Sequence, residues 1–438
     1  MSAMLFKDIA IVGEDYTVRE GMHLLVEDGR IAHIGSAVPD GFAGEVYDGR
    51  GKVAMPGFFN THSHAPMTLL RGYGEGLPLH EWLFDRMIPF EALLSDEDCY
   101  WGSLLGIAEM LSSGIVSFTD MYMHTPGIVR AVMESGIKAN LSHGYSTHHA
   151  DVRFSDSPAY AGTLFLMEAA KEYPGGRLVA DASVHAEYTF GEGEIVTEIA
   201  DFCEKSGLRM QVHVSETRQE HEACRSRRGM TPIQFFDKHG LFRVPTTAAH
   251  CVWLDEADFD ILAGRGITVA HCPSSNMKLG SGVAPIAKML ERGVKVSIGT
   301  DGAASNNNLN GLEEVNLAAM VQKGTTGNPL FLGPSQLLEL ACRNGALSQG
   351  REDCGAIAVG NRADIVVYDL EAPHLQPVFD VLSNLLFAGQ ASDIALTMVD
   401  GRVLYKDGEF TTIDIKRVIA EAKRIREEKL ARLAPKGS

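Results

Sequence analysis

The sequence predicts an α/β fold: a (β/α)8 TIM barrel joined to a small β-sandwich domain built from both chain ends. Two observations predict the barrel. Short strand-like runs bounded by Gly, Pro or Asx recur eight times from about Val53 to Asp301, and amphipathic stretches such as Asp98 to Leu111 and Asp255 to Ala263 separate them. A third observation predicts the sandwich. Ile9 to Ile34 and part of Ala356 to Leu404 read as short alternating strands, and Val26-Glu-Asp-Gly-Arg-Ile31 is echoed by Val399-Asp-Gly-Arg-Val403.

The expected barrel strands are Val53 to His62, Ile115 to Met121, Lys138 to Gly144, Leu178 to Val184, Arg209 to Val214, Thr246 to Cys251, Ile267 to Cys272 and Lys295 to Asp301. Gly114, Gly136, Gly207, Gly266 and Gly293 stop the intervening helices. The barrel is expected over 56–356, and residues 1–55 with 357–438 form the composite second domain. Its hairpin turn falls at Glu27-Asp28-Gly29-Arg30, and Ile415 to Leu433 carries Ile415, Val418, Ile419, Ala422 and Ile425 at helical spacing, as a docking or oligomer helix does.

Composition narrows the function class. A chain of 438 residues, 45% hydrophobic and 22% charged, can bury a full core. No run approaches the roughly 18 apolar residues of a membrane span, and the start, Met1 to Asp8, lacks a secretory signature. Seven cysteines without paired spacing argue against a disulfide framework, and the expectation is a cytoplasmic protein in which Cys251 and Cys272 are small buried packers. A formal net charge of −18 repels a phosphate backbone, which excludes nucleic acid and favours a small, roughly neutral ligand.

Chemistry in such a barrel sits where strands end. The first expected strand closes in His62-Ser-His64, the fifth at His213, the sixth at His250, the seventh at His271 and the eighth at Asp301. Imidazole and carboxylate suit a borderline divalent metal, and His62, His64, His213 and Asp301 would hold Zn²⁺ with one position open for water. A bridging lysine for a second metal is absent from Leu178 to Val184, so one metal per chain is expected. Such an ion lowers the pKa of water toward about 7. Glu216, three residues past His213, is the candidate proton shuttle, with Glu220 left to cap the next helix from Thr217. His250 is placed to orient the water or polarise an oxyanion, whereas His271 either joins it or braces the loop turned by Cys272-Pro273.

The runs Pro56-Gly-Phe-Phe-Asn-Thr-His-Ser-His-Ala-Pro-Met-Thr-Leu-Leu-Arg-Gly72, His213-Val-Ser-Glu-Thr217, His271-Cys-Pro-Ser-Ser-Asn-Met-Lys-Leu279 and Gly299-Thr-Asp-Gly-Ala-Ala-Ser-Asn-Asn-Asn308 resemble the 5′-methylthioadenosine/S-adenosylhomocysteine deaminases of the amidohydrolase superfamily, over nearly the whole chain. The resemblance implies zinc on His62, His64, His213 and Asp301, a proton passed by Glu216 to the ring nitrogen, and water held by His250 and Asp301. It adds Glu91 for the ribose hydroxyls, His185 as a purine contact and Ser305 as a base contact. Without it, Glu91 reads as a solvated loop charge and His185 as either a core or a site histidine. It also suggests a homo-oligomer. One departure stands out: Leu141-Ser-His-Gly-Tyr-Ser-Thr-His-His149 lacks the arginine that some members place there for the carboxylate of S-adenosylhomocysteine. Arg153 follows shortly as a candidate substitute, although an ordinary surface arginine is the favoured description. This tilts the expectation toward 5′-methylthioadenosine, 5′-deoxyadenosine or adenosine.

The segment Gly72 to Asp96, with Trp82, Phe84 and Phe90, is either a lid or an oligomer contact. The rival functions are deamination or dechlorination of guanine, cytosine, pterin or s-triazine on the same barrel, and a non-catalytic scaffold. A cytidine-deaminase type of zinc site is excluded, because the chain has no Pro-Cys-x-x-Cys run.

Overall fold

The computed structural model describes residues 3–146, 153–173, 175–191 and 193–433. Eight parallel strand positions follow one another around a barrel in chain order: Phe58–Ser63, Ile115–Tyr122, Lys138–Tyr145, Leu178–Ala180 with Ala182–Val184, Met210–Val214, Thr246–His250, Thr268–His271 and Lys295–Ile298. Nearly every residue in them is buried, as parallel strands covered by helices on one side and filled by side chains on the other require. Strand four is broken at Asp181. Its N–H still reaches Leu141 O at 2.9 Å, and its buried carboxylate accepts from Asn140 Nδ2 at 3.2 Å and Gln211 Nε2 at 3.1 Å.

The first and eighth strands share no hydrogen-bonded ladder among the described residues. Side chains and one backbone bond close the seam instead: Thr61 Oγ1 donates to Ile298 O at 2.9 Å, Asn60 Nδ2 to Thr300 Oγ1 at 2.7 Å, and Asp301 N to His62 O at 2.9 Å. Closure therefore sets Asp301 directly against His62.

The expected first strand, Val53 to His62, is corrected to two strands. Lys52–Pro56 belongs to the second sheet, where Pro56 to Lys52 pair antiparallel with Ile365 to Asp369, and the barrel strand starts at Phe58. Gly57 makes the transition. A Cβ there would lie 2.3 Å from Val116 Cγ1, so only glycine lets strand one approach strand two.

The second sheet runs Glu409–Phe410, Arg402–Lys406, Ile394–Val399, Ile365–Asp369, Lys52–Pro56, Ala3–Val12, Val18–Glu27, Arg30–Gly35, with Glu45–Asp48 also paired to Ala3–Val12. Strands from both chain ends interleave around a separate core that includes Phe6, Ile9, Leu24, Val26, Ile365 and Leu396. The two Asp-Gly turns are both left-handed, at Asp28-Gly29 (φ 51° and 80°) and Asp400-Gly401 (φ 48° and 73°). They also touch: a Cβ on Gly29 would meet Asp400 O at 2.9 Å.

Sheet and barrel are tied by a buried ion cluster. Lys138 Nζ, at the start of strand three, lies 2.5 Å from Asp364 Oδ2 and 2.8 Å from Asp400 Oδ1. The terminal helix, Ile415–Leu433, packs on the barrel helix Asp96–Ser112, burying Val418 and Ile425 and pairing Lys429 Nζ with Asp98 Oδ2 at 2.8 Å, while Ile419 faces outward. All seven cysteines are free and buried. No described helix is long and apolar enough to cross a membrane.

Lys138→Met should lower the unfolding free energy by about 3–5 kcal/mol, because it leaves Asp364 and Asp400 buried without that cation. A denaturant melt measures this; a loss below about 1 kcal/mol would mean the cluster does not couple the two parts.

Candidate active site

Four strand ends and the turns beyond them bring His62, His64, His213, His250 and Asp301 together. His64 Nδ1 donates to Met121 O at 2.6 Å, and His213 Nδ1 donates to His185 O at 2.8 Å. A carbonyl only accepts, so both rings carry a hydrogen on Nδ1, and in its neutral form each ring presents a lone pair at Nε2. Those two Nε2 atoms are 3.2 Å apart. His62 Nε2 is buried, makes no hydrogen bond among the described residues, and lies 3.4 Å from Asp301 Oδ1; His64 Nε2 lies 3.2 Å from the same oxygen. Between neutral rings the facing lone pairs repel, and a cation there, a metal ion or a proton drawn in by Asp301, relieves the arrangement.

The electrostatics agree. Burial alone would depress His64, yet Asp301 overrides it and lifts the ring to about 9. Burial outweighs the same carboxylate at His62, which falls to about 4, and burial with the surrounding imidazoles holds His213 well below the usual range. Burial would raise Asp301, but the His62 and His64 rings hold it well below the usual carboxylate range. Two groups, His62, His64 and Asp301, and His62, His213 and His250, share His62, and within each the candidate atoms lie within 4.8 Å of one another. Imidazole nitrogens joined by one carboxylate fit a divalent ion of the zinc kind.

Glu216 follows on the turn out of strand five. It is buried, accepts from Ser281 Oγ at 3.3 Å, and has Oε2 3.9 Å from His250 Nε2. Burial raises its carboxyl, which suits a group that must donate a proton. Glu220 does more than cap. Its N–H is received by Thr217 Oγ1 at 3.1 Å as expected, but its carboxylate reaches further back, accepting from Ser215 N at 3.0 Å and Glu216 N at 2.7 Å. It thereby fixes the turn at Ser215, whose φ is 51°.

His64, His213, Glu216, His250 and Asp301 open into a cavity of about 320 Å³ that is also lined by Glu91, His185, Tyr188 and Ser305, and walled by Met67, Leu79, Trp82, Leu83, Met121, Met123 and Leu279. The volume lies in the small-molecule range, roughly 300–1,000 Å³. Leu79, Trp82 and Leu83 come from the 72–96 segment, so that segment covers the cavity. Glu91, which reads as a solvated charge in isolation, is buried on the same segment and accepts from Tyr122 Oη at 2.6 Å. Burial raises its carboxyl. The His185 ring stands 5.0 Å from that of His213.

Three further candidates lie at the edge of the site or outside it. Ser305 lines the cavity, and its hydroxyl lies 2.8 Å from Asp301 Oδ2 and 3.0 Å from Gly302 O, so it holds the Asp301 carboxylate. Arg153 is exposed, lies 4.0 Å from Glu198 and does not line the cavity. Its neighbour Phe154 is buried against Tyr145 and Phe202, which turns Arg153 outward. His271 does not line the cavity either; burial, with His250 nearby, depresses it to about 3, and neither ring nitrogen finds a hydrogen-bond partner among the described residues. Residues 147–149, part of the arginine-free stretch, lie outside the described residues.

Sequence reasoning missed the groups that hold the site from behind. Ser275 donates to Asp301 Oδ2 at 2.7 Å, Asn276 accepts from His250 Nδ1 at 2.9 Å, and Tyr122 donates to Glu91. The one available signal was the polar run Ser274-Ser-Asn276 directly after a site strand.

Residues 53–404 match the amidohydrolase family. The chain is 39% identical to a 5-methylthioadenosine/S-adenosylhomocysteine deaminase of Pelotomaculum thermopropionicum, covering 95% of this chain and 98% of that protein. It is 42% identical to a 5′-deoxyadenosine deaminase of Methanosarcina acetivorans, covering 93% and 94%. The crystal structure of an adenosine deaminase from Xanthomonas campestris with bound zinc superposes with a TM-score of 0.90 at 28% identity, over 98% of this chain and 99% of that one.

Glu314 generates a pH prediction. Buried on the helix Gly311–Thr326, it accepts from Ser274 N at 2.9 Å and Asn306 Nδ2 at 2.8 Å, and burial raises it to about 7. A folded-state value above the unfolded one means that its contribution to stability is complete below about 4.5 and is lost as pH rises through about 7. The melting temperature of Glu314→Gln should therefore fall less than wild type's between pH 5 and pH 8; parallel curves would place the carboxyl's titration elsewhere.

Proposed function

The chain belongs to the amidohydrolase family, and from that premise we propose that it hydrolyses the 6-amino group from the adenine of adenosine-type nucleosides, giving the inosine analogue and ammonia. The observation that carries the reading is the cavity itself. A cation-seeking array, a buried proton-donating carboxyl and a second buried carboxylate at Glu91 meet at one half-open cavity of nucleoside size.

In our reading His62, His64, His213 and Asp301 would hold one Zn²⁺, which would lower the pKa of a water toward about 7 and so supply a nucleophile at neutral pH. His250 presents its Nε2 to the site 3.9 Å from Glu216 Oε2, where it can orient the attacking water. Glu216 gives its proton to adenine N1 as the water oxygen bonds to C6, and Asp301 takes the proton the water releases. Asp301 then passes that proton to the amine. The C6–N bond breaks, ammonia leaves, and the remaining hydroxyl proton restores the acid form of Glu216 as C6 becomes a carbonyl. Glu91, braced by Tyr122, accepts the ribose hydroxyls, and His185 meets the purine.

The walls beyond the site favour a small neutral 5′ group. Met121, Met123, Leu79 and Leu83 are apolar, and the described lining residues include no lysine or arginine. We therefore rank 5′-methylthioadenosine, 5′-deoxyadenosine and adenosine above S-adenosylhomocysteine.

Ammonia release from these four nucleosides, guanine and cytosine tests the substrate class. Turnover confined to the adenosines, weakest on S-adenosylhomocysteine, is expected; turnover of guanine or cytosine alone would replace the reading with another heterocycle. Glu216→Gln should keep its metal and lose about 10²–10⁴-fold in kcat, the usual contribution of a general acid–base group; a near-wild-type rate would remove Glu216 from the mechanism.

A further inference from the structure

The segment after the seventh barrel strand, 273–282, reaches three separate groups of the site. Ser275 Oγ donates to Asp301 Oδ2 at 2.7 Å, Asn276 Oδ1 accepts from His250 Nδ1 at 2.9 Å, and Ser281 Oγ donates to Glu216 Oε1 at 3.3 Å. None of the three serine and asparagine side chains lines the cavity. They act on substrate only through the groups they hold.

The segment is rigidly seated. Ser281 N donates to Asn276 O at 2.9 Å, Trp253 Nε1 to Ser281 O at 2.8 Å, and Lys278 Nζ to Ala304 O at 3.0 Å and Asn307 Oδ1 at 2.9 Å. Asn276 is the most constrained of the three. It is buried, and its Nδ2 has no hydrogen-bond partner among the described residues. A desolvated, unpaired amide donor is unfavourable, so the side chain is retained there for what its oxygen does. That oxygen meets a strained neighbour: His250 and Cys251 sit at φ 72° and 46°, a left-handed pair without glycine that persists only where surrounding contacts over-determine it.

We infer that Asn276 is the positioning residue of His250. By accepting from Nδ1–H it fixes the ring's rotation and tautomer, so that Nε2 presents a lone pair toward the water and stands 3.9 Å from Glu216 Oε2. The inference rests on the role given to His250 under the proposed function.

The test is a double-mutant cycle on metal-loaded full-length protein with the best nucleoside of the panel. Asn276→Ala should lower kcat about 10–100-fold, the range seen when an outer partner of a site histidine is removed, with KM within about twofold and metal content and melting temperature unchanged. Asn276→Asp keeps the shape and the acceptor while exchanging the amide for a carboxyl, and should recover most of kcat; because it is isosteric, it decides the matter even if the alanine variant fails to fold. Added to His250→Ala, Asn276→Ala should cost nothing further. An unchanged kcat in Asn276→Ala, an additive loss in the double variant, a loss explained by missing metal, or a deep kcat loss in Asn276→Asp would each overturn the assignment. A wild-type rate in His250→Ala would instead strike the role of His250 itself.

Discussion

The Nε2 atoms of His64 and His213 are forced to face each other at 3.2 Å, and much of the structure exists to force them. Each ring is pinned by Nδ1–H to a backbone carbonyl on a neighbouring element, Met121 at the end of strand two and His185 just past strand four. Such pins come from the parallel barrel, which lines up the ends of successive strands at one rim. Closure of the seam between strands eight and one then adds Asp301 to the same point. An array of this kind is electrostatically unsatisfied by itself, and its need for positive charge gives the cavity its chemistry.

Around that array the backbone departs from ordinary conformations. Ser215, His250, Cys251 and Asp301 all take positive φ without being glycine, and all four lie just where strands turn into site loops. Local preference opposes each, so tertiary hydrogen bonds must hold them. Glu220 ties the N–H groups of Ser215 and Glu216, Ser275 and Ser305 hold the Asp301 carboxylate, and Glu314 fastens the loop after strand seven to the loop after strand eight. Strain concentrated at a site and restrained by its surroundings is what preorganised chemistry requires.

Much of this was legible in the sequence, for identifiable reasons. Strand ends carrying His62, His64, His213, His250 and Asp301 stood out because imidazole and carboxylate are rare companions of buried apolar runs. The Asp-Gly turns fixed two hairpins, and the helix Ile415–Leu433 was visible as a periodic apolar stripe. Other features were hidden by tertiary structure. The break at Pro56-Gly57 carries a turn signal in the sequence, but only the approach of Val116 shows why the strand must end there. Glu91 looked solvated because nothing nearby in sequence reveals that Tyr122 covers it. Glu220, Ser305 and Asn276 have partners that no spacing rule names, and Arg153 was turned outward by the burial of Phe154 beside it.

The central claim is that one divalent ion on His62, His64, His213 and Asp301 enables the deamination. Titrating zinc into chelator-stripped protein while following ammonia release from a 5′-substituted adenosine tests it most directly. Activity should rise linearly from a negligible baseline and level off at about one ion per chain. Full turnover by the metal-free protein, or saturation only at two ions per chain, would contradict it.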